Sequence, residues 1–156
     1  MMKYIVMSLV SVGMLLSCKP ASTKGTPEVK SVQQVNAWTK YENNPVLGGG
    51  ELGTVFDICV LKENDEYKMY CSWRPQKSIA VSTSADGKKW SKPQIVLSPL
   101  KDTGWEEDMN RPAVVYKDGK YHLWYTGQAN GRSCIGYAIS DDGYNFVRQS
   151  KEPVLK

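Results

Sequence analysis

The chain has 156 residues, 20 basic and 16 acidic side chains, a net charge of +4 and a single histidine. The basic residues are scattered singly and form no stripe that a polyanion could follow, which excludes nucleic acid as a partner. The lone His122, beside Leu123, cannot assemble a metal centre or a nucleophilic triad, so neither metal nor cofactor is expected.

The first element is an export signal, with Lys3 as its positive start and Ile5 to Leu16 as a short apolar run. That run falls short of the roughly 20 residues a membrane-spanning helix needs. It ends in Leu15-Leu16-Ser17-Cys18, the pattern of a lipobox. Residues 1–17 are therefore expected to be removed and Cys18 to become an acylated N-terminus. The protein would then be anchored to a membrane without spanning it, in the periplasm or on the cell surface. Residues 18–35, rich in Lys, Ser, Thr and Pro, read as a flexible tether.

Residues 36–156 carry short strand-like segments separated by turn chemistry. Asp57 to Lys62 is an apolar run, Asn64-Asp65 a turn, Tyr67 to Trp73 an alternating strand, and Ile79 to Ser84 a third strand ending in the Asp86-Gly87 turn. The same series follows as Ala113 to Tyr116, Lys117 to Lys120, Tyr121 to Thr126, Ile135 to Ser140 and Asp142-Gly143. The Asp-Gly pairs are expected to close hairpins, because glycine accepts the positive φ of such turns. Cys59, Cys71 and Cys134 are odd in number and lie in strands, with Cys59 facing Tyr70 and Cys71 facing Ile58. They read as small buried hydrophobes, not as a disulfide framework.

These elements form a repeat. Ile79 to Trp90 aligns with Ile135 to Phe146, 56 residues on, and Tyr67 to Trp73 with Tyr121 to Gly127, 54 residues on. A third element recurs as Trp38 to Leu47, Trp90 to Leu97 and Phe146 to Leu155. Four strands per unit at a period of about 50 residues specify an all-β chain made of about two four-stranded blades of a β-propeller. A β-sandwich with two similar hairpins is the competing architecture, but sandwiches rarely repeat a whole four-strand unit. Trp90 and Phe146 are expected to pack between blades. Stacked repeats need about three units to bury their faces. The chain is accordingly expected to be incomplete, with the rest supplied by further blades or by partner chains, and of low stability alone.

In a propeller the start of each innermost strand lines the mouth of the central channel. Those segments are Thr54 to Asp57 and Glu106 to Pro112, and the strand alignment sets Asp57 opposite Arg111. Arg111 and Arg74 can donate planar hydrogen bonds to sugar hydroxyls. Trp73 and Trp105 offer stacking faces, and Asn110 and Gln128 offer amides. Gly48-Gly49-Gly50 lacks the following lysine and helix of a phosphate loop.

The run Trp105 to Pro112, followed by Tyr116 to Tyr125, resembles a blade of the five-bladed glycosidases of glycoside hydrolase family 43. Ser84 to Trp90 is likewise similar to the blade-ending motif shared with families 32 and 130 of the same clan, which also holds families 62, 68 and 117. The resemblance implies that Asp57 is the general base or nucleophile. It implies a second acid on the next blade. The usual Asp-Pro is Arg111-Pro112 here, so that role, orienting the sugar and tuning its neighbour, falls to Asp108. The proton donor comes from a later blade in the family. The expected activity is hydrolysis of O-glycosyl bonds in oligo- or polysaccharides, with a family 130-like phosphorylase or a non-catalytic carbohydrate-binding propeller as the alternatives.

Overall fold

Eight strands make up two antiparallel four-stranded sheets in a computed structural model that describes residues 38–156. The expected leader, Cys18 and the tether lie outside the described residues. The first sheet runs β1 (Val55–Glu63), β2 (Glu66–Trp73), β3 (Ser78–Ser84), β4 (Gln94–Leu97), and the second β5 (Asp108–Lys117), β6 (Lys120–Ala129), β7 (Arg132–Ser140), β8 (Val147–Arg148). Strand order follows chain order in both sheets, as blades require. Helical structure among the described residues is limited to three single 3-10 turns.

The hairpins form where expected, with Glu63 paired to Glu66 and Lys117 to Lys120. Asn64 and Asp118 take the left-handed conformation that their short polar side chains tolerate. The Asp-Gly segments, by contrast, are not hairpins. Ser84 Oγ accepts from the N–H groups of Asp86 and Gly87, and Asp86 Oδ1 from those of Lys88 and Lys89 at 2.8 Å each. Ser140 and Asp142 do the same for Gly143, Tyr144 and Asn145. Side chains thus take the donors a strand ladder would have used, so β4 starts only at Gln94. The repeat nevertheless extends to its last residues, since Leu97 opposes Ile79 as Leu155 opposes Ile135.

The core lies between the sheets. Tyr70, Ile79 and Val81 of the first blade meet Val114, Tyr121, Leu123, Tyr125, Ala138 and Phe146 of the second. Phe146 packs edge-on against Tyr70, 5.9 Å between ring centres, and the Tyr70 hydroxyl donates to the Gly143 carbonyl. Phe146 is thus an inter-blade residue. Its counterpart Trp90 is half-buried, and its indole N–H donates to Gly87 within its own loop. Tyr125 sits opposite Gly136, where an added Cβ would lie 2.2 Å from the phenol ring. Cys71 is fully buried, which pushes its thiol pKa up to about 11, while Cys59 and Cys134 are partly buried against the core. All three are free thiols.

Polar anchors hold both ends of this core. Glu106, wholly buried, accepts from Tyr125 Oη at 2.7 Å, from the Leu100 N–H at 3.0 Å and from the Arg148 guanidinium at 2.5 Å. It thereby ties the connector between blades to β8. At the opposite end Lys68 pairs with Glu63 at 3.0 Å and donates to Tyr121 Oη at 2.8 Å, joining the two blades. Burial pulls the Lys68 pKa down, but its bonds to Tyr121 and Glu63 outweigh that and hold it above the ordinary lysine value.

Removing the Glu106 carboxylate leaves the Arg148 charge unpaired beneath the connector. Glu106→Ala is expected to cost about 3–5 kcal/mol, read as a lower denaturant midpoint. Hydrogen bonds from the Asn145 and Tyr144 N–H groups hold the Asp142 carboxyl well below the usual carboxylate range. A depressed pKa contributes stability above the unfolded value of about 4 and loses it as pH falls through the folded value. The thermal-midpoint deficit of Asp142→Ala should therefore be full at neutral pH and shrink steadily below about pH 4. A deficit independent of pH would show that the ionised carboxylate is not what holds the loop.

Candidate functional site

Asp57 and Arg111 occupy equivalent places in the innermost strand of each blade, as the repeat predicts. Each opens a β-bulge: the pairing of β1 with β2 shifts between Phe56 and Cys59, and that of β5 with β6 between Asn110 and Ala113. Two residues there face one, so Asp57 and Ile58 together oppose Cys71. Asp57 has φ 48° and Arg111 φ 53°, a left-handed conformation uncommon outside glycine. Bulges of this kind re-aim side chains, and non-glycine strain of this kind clusters at binding sites.

One hydrogen bond sets the two bulges against each other. The Arg111 N–H donates to Ser72 Oγ of the first blade at 2.9 Å, and Ser72 is fully buried. Arg111 Nε then stands 4.0 Å from Asp57 Oδ2, with the two side chains 62% and 34% exposed. The pair is open to solvent and free to take a ligand. Beside it, the Arg74 guanidinium lies 4.6 Å from the ring centre of Phe56, the residue before Asp57.

A second cluster follows from the start of β5. Asp108 pairs with Gln128 in register, and the Asn110 amide donates to Gln128 Oε1 at 2.5 Å. Gln128 Nε2 in turn donates to Ser133 Oγ at 3.0 Å. Asp108 Oδ1 is buried without a hydrogen-bond partner. Such an atom costs free energy unless something pairs with it, so it marks a polar contact still to be made. Lys77, Asp108, Gln128, Arg132 and Ser133 line a cleft of about 370 Å³ here.

The structure therefore brings Asp57, Arg111 and Arg74 to one rim, and Asp108, Asn110 and Gln128 to a neighbouring cluster. Trp73 lies apart. Its indole N–H donates to the Leu52 carbonyl at 2.8 Å, and it lines a separate cleft with Leu47, Leu52, Gln76 and Trp90. Trp105 is not a sugar platform: it is 9% exposed, its ring stacks on Tyr125 at 6.0 Å and its N–H donates to the Lys151 carbonyl. Ser72 and Phe56 escaped the sequence reading. The offset of 54 pairs Ser72 with Thr126, a second buried hydroxyl, and that was the available signal.

Ser72→Ala should strand the Arg111 N–H and cost about 1–3 kcal/mol. Hydrogen exchange would read it directly, as lost protection of the Arg111 amide with the β2–β3 amides unchanged. Retained protection would mean that the bulges are aligned by something else.

No protein-family model matches the chain. A β-1,2-mannobiose phosphorylase of Thermoanaerobacter sp. (strain X514) is 39% identical over 75 residues, covering 38% of this chain and 24% of that protein. Among solved structures, a Bacteroides ovatus ATCC 8483 protein superposes with a TM-score of 0.60 at 18% identity, over 73% of this chain and 40% of its own. A family 43 endo-arabinanase from Bacillus licheniformis gives 0.53 at 23% identity, over 66% and 38%. The α-L-arabinanase of Cellvibrio cellulosa gives 0.52 at 17% identity, over 62% and 34%. The chain thus spans about a quarter of the curated relative and 34–40% of these solved chains. At such identities the structural likeness shows the fold, which is two consecutive blades of the propeller on which these enzymes are built.

Proposed function

We propose that this chain supplies two blades of a carbohydrate-active propeller, a glycoside hydrolase of the family 43 type, with Asp57 facing the sugar at the channel mouth. The observation that carries the reading is the Asp57–Arg111 pair, an accessible carboxylate and guanidinium held at aligned bulges on adjacent blades. An ionised carboxylate there can accept from a sugar hydroxyl or take a proton from water, and a planar guanidinium can donate two parallel hydrogen bonds. Glycoside cleavage needs a second, protonated carboxyl across the scissile bond. Asp57 and Asp108 are both on the base and orienting side of that requirement, so the proton donor belongs to another blade.

A second reading is phosphorolysis, in which phosphate replaces water. The partial relative, a β-1,2-mannobiose phosphorylase, favours it, as does an arginine at the mouth where the family 43 pattern carries an acid. We further infer that Cys18 carries the lipid that holds these blades at a membrane surface, with residues 18–35 as the tether.

On a glycan array, the chain should bind oligo- or polysaccharide ligands, and Asp57→Ala and Arg111→Ala should each weaken binding at least about tenfold, or 1.4 kcal/mol. Unchanged binding in both variants would move the site elsewhere. Glycan turnover by the chain joined with its remaining blades should proceed without inorganic phosphate for a hydrolase, and should require it for a phosphorylase.

A further inference from the structure

We propose that the open face of the second blade is a docking surface for the first blade of a second copy of this chain. It would repeat between molecules the contact that joins the two blades within one. The inference rests on the repeat and the burial pattern, and is independent of the sugar site.

The established interface has two halves. On the first blade the covered half includes Leu61, Tyr70 and Val81, and on the second the covering half includes Val114 and Phe146. Carried along the repeat, the covered half falls on Val115, Trp124 and Tyr137 of the second blade. Those residues line the far face of that sheet. Val115 is 49% and Trp124 38% exposed, whereas Tyr70, the counterpart of Trp124, is fully buried. Trp124 stacks on Tyr137 at 5.0 Å, so the face is a preformed aromatic surface.

The covering half, carried back along the repeat, falls on Val60 and Trp90 of the first blade. Val60 is 45% exposed, and Val114, its counterpart, 3%. Ile58 and Ile95, on the same side of that sheet, are 61% and 39% exposed. Each molecule therefore presents, at opposite ends, both halves of an interface it already makes once internally. Between copies, Trp124 would meet Trp90 as Tyr70 meets Phe146.

The contact between copies is weaker than the internal one for a specific reason. The buried Lys68–Glu63 pair that anchors the internal interface has His122 and Lys117 at the corresponding places, and the His122 ring is already bonded to Tyr137 Oη at 2.6 Å. No acid stands opposite to recreate the ion pair. Association should accordingly be reversible and concentration-dependent. Because the two halves are different surfaces, it is head-to-tail and does not stop at a dimer.

Sedimentation velocity of the full chain across a micromolar series tests this. The mean mass should rise with concentration beyond that of two chains. Trp124→Lys and Val60→Lys, both at exposed positions, should each be folded by circular dichroism and at least tenfold weaker in association. Val115→Lys provides a second variant of the Trp124 face. An equimolar mixture of the Trp124 and Val60 variants should give a dimer and nothing larger, since each retains one intact half. A chain that stays monomeric throughout, a dimer that neither variant disturbs, or a mixture no heavier than its components would each overturn the proposal.

Discussion

A sheet with apolar side chains on both faces must be covered twice, and this requirement governs the whole molecule. Each blade here meets it once inside the chain, through the layer that runs from Tyr70 and Val81 to Val114, Leu123 and Phe146. Apolar burial stabilises at about 25 cal/mol per Å². That layer is therefore what holds the blades face to face, and strand pairing within each sheet contributes nothing across the gap. The position of every candidate site residue is inherited from it. Asp57 and Arg111 meet because the innermost strands are stacked in phase, and Arg111 is locked by a hydroxyl, Ser72, that belongs to the other blade.

The polar groups in this layer sit at its ends. Glu106 with Arg148 secures the connector side, and Lys68 with Glu63 and Tyr121 secures the hairpin side. A buried ion pair is weak evidence for net stability, since desolvation offsets most of its Coulombic gain. Its effect is on register: an apolar layer alone tolerates sliding, whereas a carboxylate with several donors fits only one alignment. The strained Asp57 and Arg111 conformations lie between such fixed points, where the surrounding structure can hold them.

Much of this was legible in the residues. The repeat, the strand series, the all-β propeller architecture, the inter-blade role of Phe146 and the equivalence of Asp57 with Arg111 all follow from periodicity, because side-chain alternation and turn chemistry act locally. What was not legible depends on distant partners. Trp105 read as a platform because an aromatic in a loop is ambiguous, until Tyr125 and the Lys151 carbonyl are seen to enclose it. The Asp-Gly segments misled because Ser84 and Ser140, two positions upstream of the aspartates, compete for the backbone donors. Glu106 passed as a rim acid, although four donors from three separate segments make it a structural group.

The Tyr125–Gly136 pair in the second blade occupies the same two places as Cys71 and Ala80 in the first, directly opposite one another in register. One blade fills this slot with a large ring over no side chain, the other with two small groups. The two units descend from one pattern, yet they are no longer exchangeable modules. Grafting β6 of the second blade beside β3 of the first would drive a phenol into a methyl, and the reverse graft would leave a void. After duplication, such paired volumes drift together, and each blade becomes committed to its own place in the ring.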